Sequence, residues 1–331
     1  MRAVVVSQPG LASVETIKDP TPLEEEVIVK VLGCGICGTD LHILHDGLPN
    51  LPYPVIPGHE PWGEIIEVTK REKKLRVGDR VAVDPSIHCG TCEQCQRGRG
   101  NLCKHWGAIG GTQSGAWAEF VAVPRKNIHV LEEGFPLDCA AIIEPVACAL
   151  RGVVQLKPQF DTPALIFGAG TMGMLLALLL DMRGVGPLTV VEVNQDRARI
   201  ARQLLPATIV HPDELGDLQT EIVIDATGNP RAIETAFQHV APGGTVLIFG
   251  VASPSARVSL SPYDIYEREL TVLGSKAILH TFSPAVDVVR RHASRFRSLI
   301  DRTSYSLERF NQALTALNNG SAVKIVLEPN S

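Results

Sequence analysis

ALIFGAGTMG, residues 164–173, decides the fold. Ala164–Phe167 is a short apolar run that reads as a buried parallel strand, and Met172–Met182 reads as a helix. Between them stands G-x-G-x-x-G. Alone that motif is weak; in a strand–turn–helix setting it is strong. Its glycines allow a tight turn and close approach of a pyrophosphate, at a helix N-terminus whose dipole favours an anion. The reading assigns Gly168, Gly170, Thr171, Met172 and Gly173 to a dinucleotide loop. Glu192, at the end of the next strand, lies 19 residues after Gly173. An acid there accepts hydrogen bonds from the adenosine ribose and repels a 2′-phosphate, which favours NAD over NADP. Arg197 is assigned to the same end of the cofactor, although its charge would also suit a phosphate.

Outward from this loop the alternation continues. Leu188–Val193, Ile222–Ala226, Thr245–Phe249 and Leu270–Leu273 read as strands, and Asp196–Leu205 and Arg231–Val240 as helices. That is α/β, a doubly wound parallel sheet. The preceding half differs. Ala3–Ser7, Glu26–Leu32, Gly63–Val68, Arg80–Asp84, Ala116–Val123 and Ile128–Val130 are short strands between Gly/Pro turns, which suggests a mainly β, barrel-like domain. Pro49–Pro57 reads as extended, and Lys70–Lys74 as a charged turn. Leu137–Val154 reads as a helix that Glu144-Pro145 interrupts, with the proline bending the chain to aim the carboxylate inward. After Lys276 come helices at Pro284–His292 and Leu307–Asn318 and a strand at Ala322–Leu327. The expected division is a catalytic domain at 1–148 with a cysteine-rich lobe at 85–105, a dinucleotide domain at 149–278, and a return segment at 279–331 that completes the first domain.

Composition narrows the class of function. In 331 residues, 45% hydrophobic and 20% charged, a sizeable core is available. The net charge of −5 comes without a basic cluster, which argues against a nucleic-acid partner. The most apolar run, Leu165–Leu180, is 16 residues broken by Gly168, Gly170 and Gly173, short of the ~20 a bilayer span needs. Met1-Arg2 leads straight into a strand and not a signal core. No membrane partner and a cytoplasmic location are therefore expected.

The chemistry sits in GCGICGTDLHILHDGLPNLPYPVIPGHE, residues 33–60. Cys37, His59 and Glu60 are a thiolate, an imidazole and a carboxylate, a donor mix that suits zinc. A catalytic zinc takes about three protein ligands and keeps one position open. Cys37 and His59 fit two of these; the third is Glu144 or Glu60, one binding directly and the other through water or alternately. A short helix is expected over Thr39–His45, with Thr39 or Asp40 near its cap. Farther on, Cys89, Cys92, Cys95 and Cys103 read C-x2-C-x2-C-x7-C, a closed four-thiolate set of the structural kind. Two disulfides or an iron–sulfur cluster are weaker alternatives.

GHEPWG at 58–63 resembles the GHExxG signature of the zinc-containing alcohol dehydrogenases, in the medium-chain dehydrogenase/reductase superfamily, and GICGTDLH at 35–42 matches that family's first-ligand loop. The resemblance covers essentially the whole chain. It implies a GroES-like catalytic domain and a Rossmann cofactor domain, with Cys37 and His59 as ligands of a catalytic zinc, Glu60 as the adjacent carboxylate, and the four clustered cysteines as ligands of a structural zinc. Glu144-Pro145 looks like the polyol (sorbitol-type) branch, where a glutamate before proline replaces a cysteine ligand. Cys139 and Cys148 then read as core thiols, with a small claim left to Cys148. The resemblance also implies that Thr39 and His42 pass the substrate proton to solvent, and that Asp40 orients His59. His45 reads as a surface residue. Thr69 departs from the glycine usual at its place in the signature.

The expected activity is NAD-dependent oxidation of a secondary hydroxyl of a polyol to a ketone, by hydride transfer in a pocket between the domains. L-threonine dehydrogenase or a general secondary-alcohol dehydrogenase is the alternative among enzymes. A zinc-stabilised nucleic-acid binder and a non-catalytic NAD sensor are the readings from other classes. By resemblance the protein is a homodimer or homotetramer, with Leu270–Leu273 able to pair across an interface.

Overall fold

β-Branched residues set the opening of the chain. Arg2–Gln8 (β1) carries AVVV and pairs antiparallel with Leu11–Thr16 (β2). The structure, a computed structural model, describes residues 1–47, 51–69, 72, 74–320 and 322–331. Pro49 and most of the expected turn at Lys70–Lys74 lie outside the described residues. The chain divides into two compact units, Met1–Ala147 with Ile278–Ser331, and Cys148–Ala277.

The first unit is built on Glu26–Gly35 (β3), whose EVIVKVL run buries most of its residues. It pairs antiparallel along its length with Glu60–Val68 (β4), and its first half pairs with Phe120–Pro124 (β8). Arg80–Val83 (β5) and Ile128–Val130 (β9) extend the sheet beyond β4. Its other end is closed by Val326–Leu327 (β16), opposite Gly35 and Cys34. Ser86–Ile87 (β6) and Gly107–Ala108 (β7) form a separate small ribbon. Two helices interrupt these strands, Gly38–His45 (α1) and the short Glu93–Gln96 (α2). The core gathers Val4, Val27, Val29, Ile65, Val121, Ile325 and the fully buried Trp117.

Ile143–Leu156 (α3) follows a 3-10 turn at Leu137–Ile142. This corrects one expectation. Pro145 stands in the first turn of α3 rather than inside a longer helix. A first-turn N–H has no intrahelical partner to lose, so the proline begins the helix and does not bend it.

The second unit is a six-stranded parallel sheet. Its strands are Ala164–Phe167 (β10), Leu188–Val191 (β11), Thr208–Val210 (β12), Thr220–Asp225 (β13), Val240–Ile248 (β14) and Thr271–Gly274 (β15), in the order β12-β11-β10-β13-β14-β15. Numbered from β10 this is 3-2-1-4-5-6, the order of the dinucleotide-binding doubly wound fold, with its switch point between β10 and β13. All four residues of β10 are buried, as expected of a strand covered on both faces. Thr171–Met182 (α4) buries an unbroken run from Gly173 to Leu180. Gln195–Leu204 (α5) is capped by Asn194, which accepts from the Arg197 N–H, and Pro230–Gln238 (α6) by Asn229 ahead of a first-turn proline. Pro262–Glu267 (α7) leads into β15 at the sheet edge.

The chain then returns to the first unit through Phe282–Arg291 (α8), Ala293–Arg297 (α9) and Phe310–Asn318 (α10), ending at β16. Two expected strands are shorter than the sequence suggests. β8 begins at Phe120 rather than Ala116, because Trp117 turns its backbone to Val4 and Pro57 instead of the sheet. β16 keeps only two residues of the stretch from Ala322. Among the described residues, no helix is long and apolar enough to cross a membrane.

Candidate metal centres and dinucleotide loop

The end of β3 and the start of β4 meet at Gly35, which stands opposite Glu60. Two residues past that point Cys37 takes an extended conformation (φ −117°, ψ 160°) and caps α1. The cap differs from the one expected: Asp40 is the third residue of the helix and accepts the Cys37 N–H at 2.8 Å. Its other oxygen accepts the Gly58 N–H at 3.1 Å and lies 3.3 Å from Nδ1 of His59. One fully buried carboxylate thus ties the Cys37 loop to the His59 loop. Gly58 (φ +95°) cannot be replaced easily, since a Cβ there would stand 2.3 Å from the Trp117 ring. The result is that one ligand atom each from Cys37, His59 and Glu60 lie within 4.8 Å of one another. Sulfur, nitrogen and oxygen donors converging in this way fit zinc. Burial opposes a charge on His59, but Asp40 and Cys37 outweigh it and pull its pKa well above the ordinary value.

Glu144, in the first turn of α3, is 9% exposed and lies outside that mutual set. Thr39 is brought to Cys37, its hydroxyl 3.9 Å from the sulfur. His42, about half exposed, is brought to Asp46, with 2.8 Å from Nδ1 to the carboxylate. His45 is exposed. Cys139 is buried, its thiol pushed up to about 11 by that burial and by Asp138. Cys148 is half-buried on α3.

The second cluster is tighter. Sulfur–sulfur distances are 3.5 Å for Cys89–Cys103, 3.6 Å for Cys92–Cys95, 3.8 Å for Cys92–Cys103 and 4.0 Å for Cys89–Cys95. A tetrahedron with Zn–S of ~2.3 Å has edges of about 3.8 Å, so the cage fits the ion. Backbone N–H groups of Cys92 and His105 point at Cys89 and Cys103. The Thr91 donors, with Cys92 and Cys103, lower the Cys89 thiol to about 5, whereas burial and the neighbouring sulfurs push Cys95 up to about 12. Four sulfurs this close do not all ionise without a cation among them.

In the second unit, Gly168 (φ +99°) makes the turn after β10, and Gly170 precedes α4 with open space where a Cβ would stand. A Cβ on Gly173 would meet the Gly168 carbonyl oxygen at 1.8 Å. Thr171 and Met172 open α4 and are half-buried. Glu192, 6% exposed, accepts the Ala169 N–H and the Asn194 N–H, each at 2.8 Å. Arg197 brings its Nε to 3.4 Å from the same carboxylate. The loop is thus tied to Glu192 through Ala169, with Gly170 open at the start of α4.

Residues 23–133 match the alcohol dehydrogenase GroES-like domain, and residues 171–291 the zinc-binding dehydrogenase domain. The chain is 37% identical over 269 residues to D-altritol 5-dehydrogenase of Agrobacterium fabrum, covering 79% of this chain and 80% of that one. It belongs to the zinc-containing medium-chain dehydrogenases. Two solved structures of like fold carry nicotinamide cofactors. One is a Sinorhizobium meliloti protein bound to NADP (TM-score 0.91, 32% identity, 99% of each chain). The other is the Escherichia coli CFT073 alcohol dehydrogenase rspB complexed with NADH (TM-score 0.92, 26% identity, 99% of each chain).

As a medium-chain dehydrogenase the chain is an oxidoreductase of a family that uses zinc and a nicotinamide cofactor. Its structure also contains a charged residue that sequence reasoning did not single out. Lys324, 1% exposed, donates from Nζ to both oxygens of Glu60, at 2.7 and 2.6 Å, and to the Ile36 carbonyl at 3.0 Å. Burial works against its charge, but Glu60 and Cys37 prevail and its pKa is raised. The available signal was a lone lysine in the apolar run AVKIVL.

Proposed function

We propose that this dehydrogenase oxidises a secondary hydroxyl of a polyol to a ketone, with NAD as acceptor. The reading assigns a catalytic zinc to Cys37, His59 and Glu144, with Glu60 beside it, and a structural zinc to Cys89, Cys92, Cys95 and Cys103. The observation that carries it is the convergence of Cys37, His59 and Glu60, with Glu144 buried in the first turn of α3. Glu144 in place of a thiolate makes the donor set richer in oxygen, which suits a substrate with neighbouring hydroxyls. The altritol dehydrogenase name of a relative points the same way. An acid at Glu192 disfavours a 2′-phosphate and supports NAD.

When bound, zinc would make the substrate hydroxyl more acidic and the nicotinamide would accept the hydride. The chain's own groups supply the rest. Asp40 holds His59 by Nδ1, which leaves Nε2 for the metal and fixes the tautomer. Thr39 accepts the substrate proton at its hydroxyl oxygen and releases its own towards His42, and Asp46 offers that imidazole a carboxylate at the surface. The Gly168–Gly173 loop binds the pyrophosphate, and Glu192 the adenosine ribose. The edge position of β15, where Val272 is 46% exposed, supports a homodimer or homotetramer.

A screen of polyols, L-threonine and simple secondary alcohols, followed by NADH absorbance with zinc measured alongside, tests the reading. Preferred turnover of a polyol with NAD is the expected result. Preference for threonine or for an isolated secondary alcohol would overturn the substrate class.

A further inference from the structure

Lys324 spends all three of its N–H groups within the protein: two on Glu60 and one on the Ile36 carbonyl. The Glu60 carboxylate is at the same time one of the three groups whose ligand atoms converge within 4.8 Å. It is thus shared ground between an ammonium and a metal. The surroundings are shaped for the ammonium-bound pose. A Cβ on Gly35 would lie 1.9 Å from Oε2 of Glu60 and 3.2 Å from the Ala141 carbonyl, so the glycine leaves the pocket that the carboxylate fills. The lysine is anchored from its own backbone as well. Its N–H reaches the Leu299 carbonyl, and its carbonyl accepts the Asp301 N–H. Charge points the same way: Cys37, Glu60 and Glu144 as anions would be balanced by the two charges of zinc and the one of Lys324.

We propose that Lys324 is a positioning residue that competes with the catalytic metal for Glu60, and so keeps one coordination position open and the metal exchangeable. This rests on the reading above that Cys37 and His59 hold a zinc ion. With the ammonium in place, Glu60 stays beside the metal as an outer carboxylate. Without it, Glu60 swings to the metal as a further ligand and occupies the position that substrate needs.

The test is a double-mutant cycle on zinc release to a chelator, with wild type, K324M, E60Q and K324M/E60Q, each loaded with zinc. The four-cysteine site serves as the internal reference, and C37S identifies which release phase belongs to the Cys37 site. The expected result is that K324M slows that phase roughly tenfold, the scale on which groups behind the ligands tune metal affinity. In the E60Q background the same change should have a much smaller effect. K324R, which keeps the charge, should stay near wild type. Equal effects of Lys324→Met in the two backgrounds, or faster release from K324M, would overturn the proposal. Should K324M fail to fold, K324R and Lys324→Gln in place of methionine carry the comparison. If the wild type holds no zinc that C37S removes, the metal reading itself falls and the Lys324 proposal with it. If it holds that zinc and the cycle shows no coupling, only the Lys324 proposal falls.

Discussion

The carboxylate of Glu192 accepts the N–H of Ala169 at 2.8 Å, joining the end of β11 to the second residue of the glycine loop. The acid proposed to select the cofactor is therefore bonded directly to the loop proposed to bind it. Its second oxygen is held by the Asn194 N–H at the cap of α5, and Arg197 flanks it.

Replacing Glu192 with alanine should lower kcat/KM for NAD relative to NADP by roughly tenfold or more, since repulsion of the 2′-phosphate disappears while Arg197 remains to receive it. Steady-state kinetics with the two cofactors measure this. An unchanged ratio would remove Glu192 from cofactor selection.

The glycine loop offers a paired comparison. Gly173→Ala forces a Cβ against the Gly168 carbonyl and should cost about 1–3 kcal/mol of stability, as overpacking does. Gly170→Ala meets open space and should leave the melting temperature almost unchanged while weakening NADH binding, read by its fluorescence. Unaltered affinity in Gly170→Ala would mean that the pyrophosphate does not sit there.

Cys37→Ser should abolish turnover and remove one zinc equivalent per chain with the fold retained, as circular dichroism and metal analysis would record. Full turnover in this variant would end the catalytic assignment.

Cys95→Ser should also remove one zinc equivalent, but a different one. Its main consequence is lost stability of the segment from Cys89 to Cys103, because a structural site contributes folding energy. Limited proteolysis should cut that segment in the variant and spare it in wild type. Resistance equal to wild type would count against a structural ion.

Arg297 holds the Asp138 carboxyl below its ordinary value of 3.8. A carboxyl with a depressed folded pKa contributes stability above the unfolded value and loses it as pH falls through the folded one. Both partners are about half exposed, so Asp138→Asn should cost no more than about 1 kcal/mol at neutral pH. The difference from wild type in denaturant melts should vanish in strong acid. A difference that persists there would show that the ion pair is not its source.

Much of this architecture was legible before any coordinates. The buried run ALIF with its glycine turn names the doubly wound sheet, because few other arrangements ask a strand to be apolar throughout and then stop at a left-handed glycine. The cysteine spacing likewise carries its own geometry. What escaped depends on tertiary partners. The strand Thr208–Val210 is only three residues long, too short for any period to register. Trp117 sits in a run that reads as strand, yet its backbone bonds elsewhere. Pro145 looks like a break until the helix start is known, since the cost of a proline depends on the turn it occupies. Lys324 looks like a misplaced surface charge until Glu60, 264 residues earlier in the chain, is seen beside it.

That separation governs how the protein can be made. Residues 148–277 leave the ribosome, and can acquire their own core, before residues 278–331 have been translated. Until the latter emerge, Glu60 belongs to a nascent chain that lacks its ammonium partner, and the sheet lacks the strand that docks against Gly35. The ion pair of Glu60 therefore cannot close until a residue 264 positions later in the chain has been made.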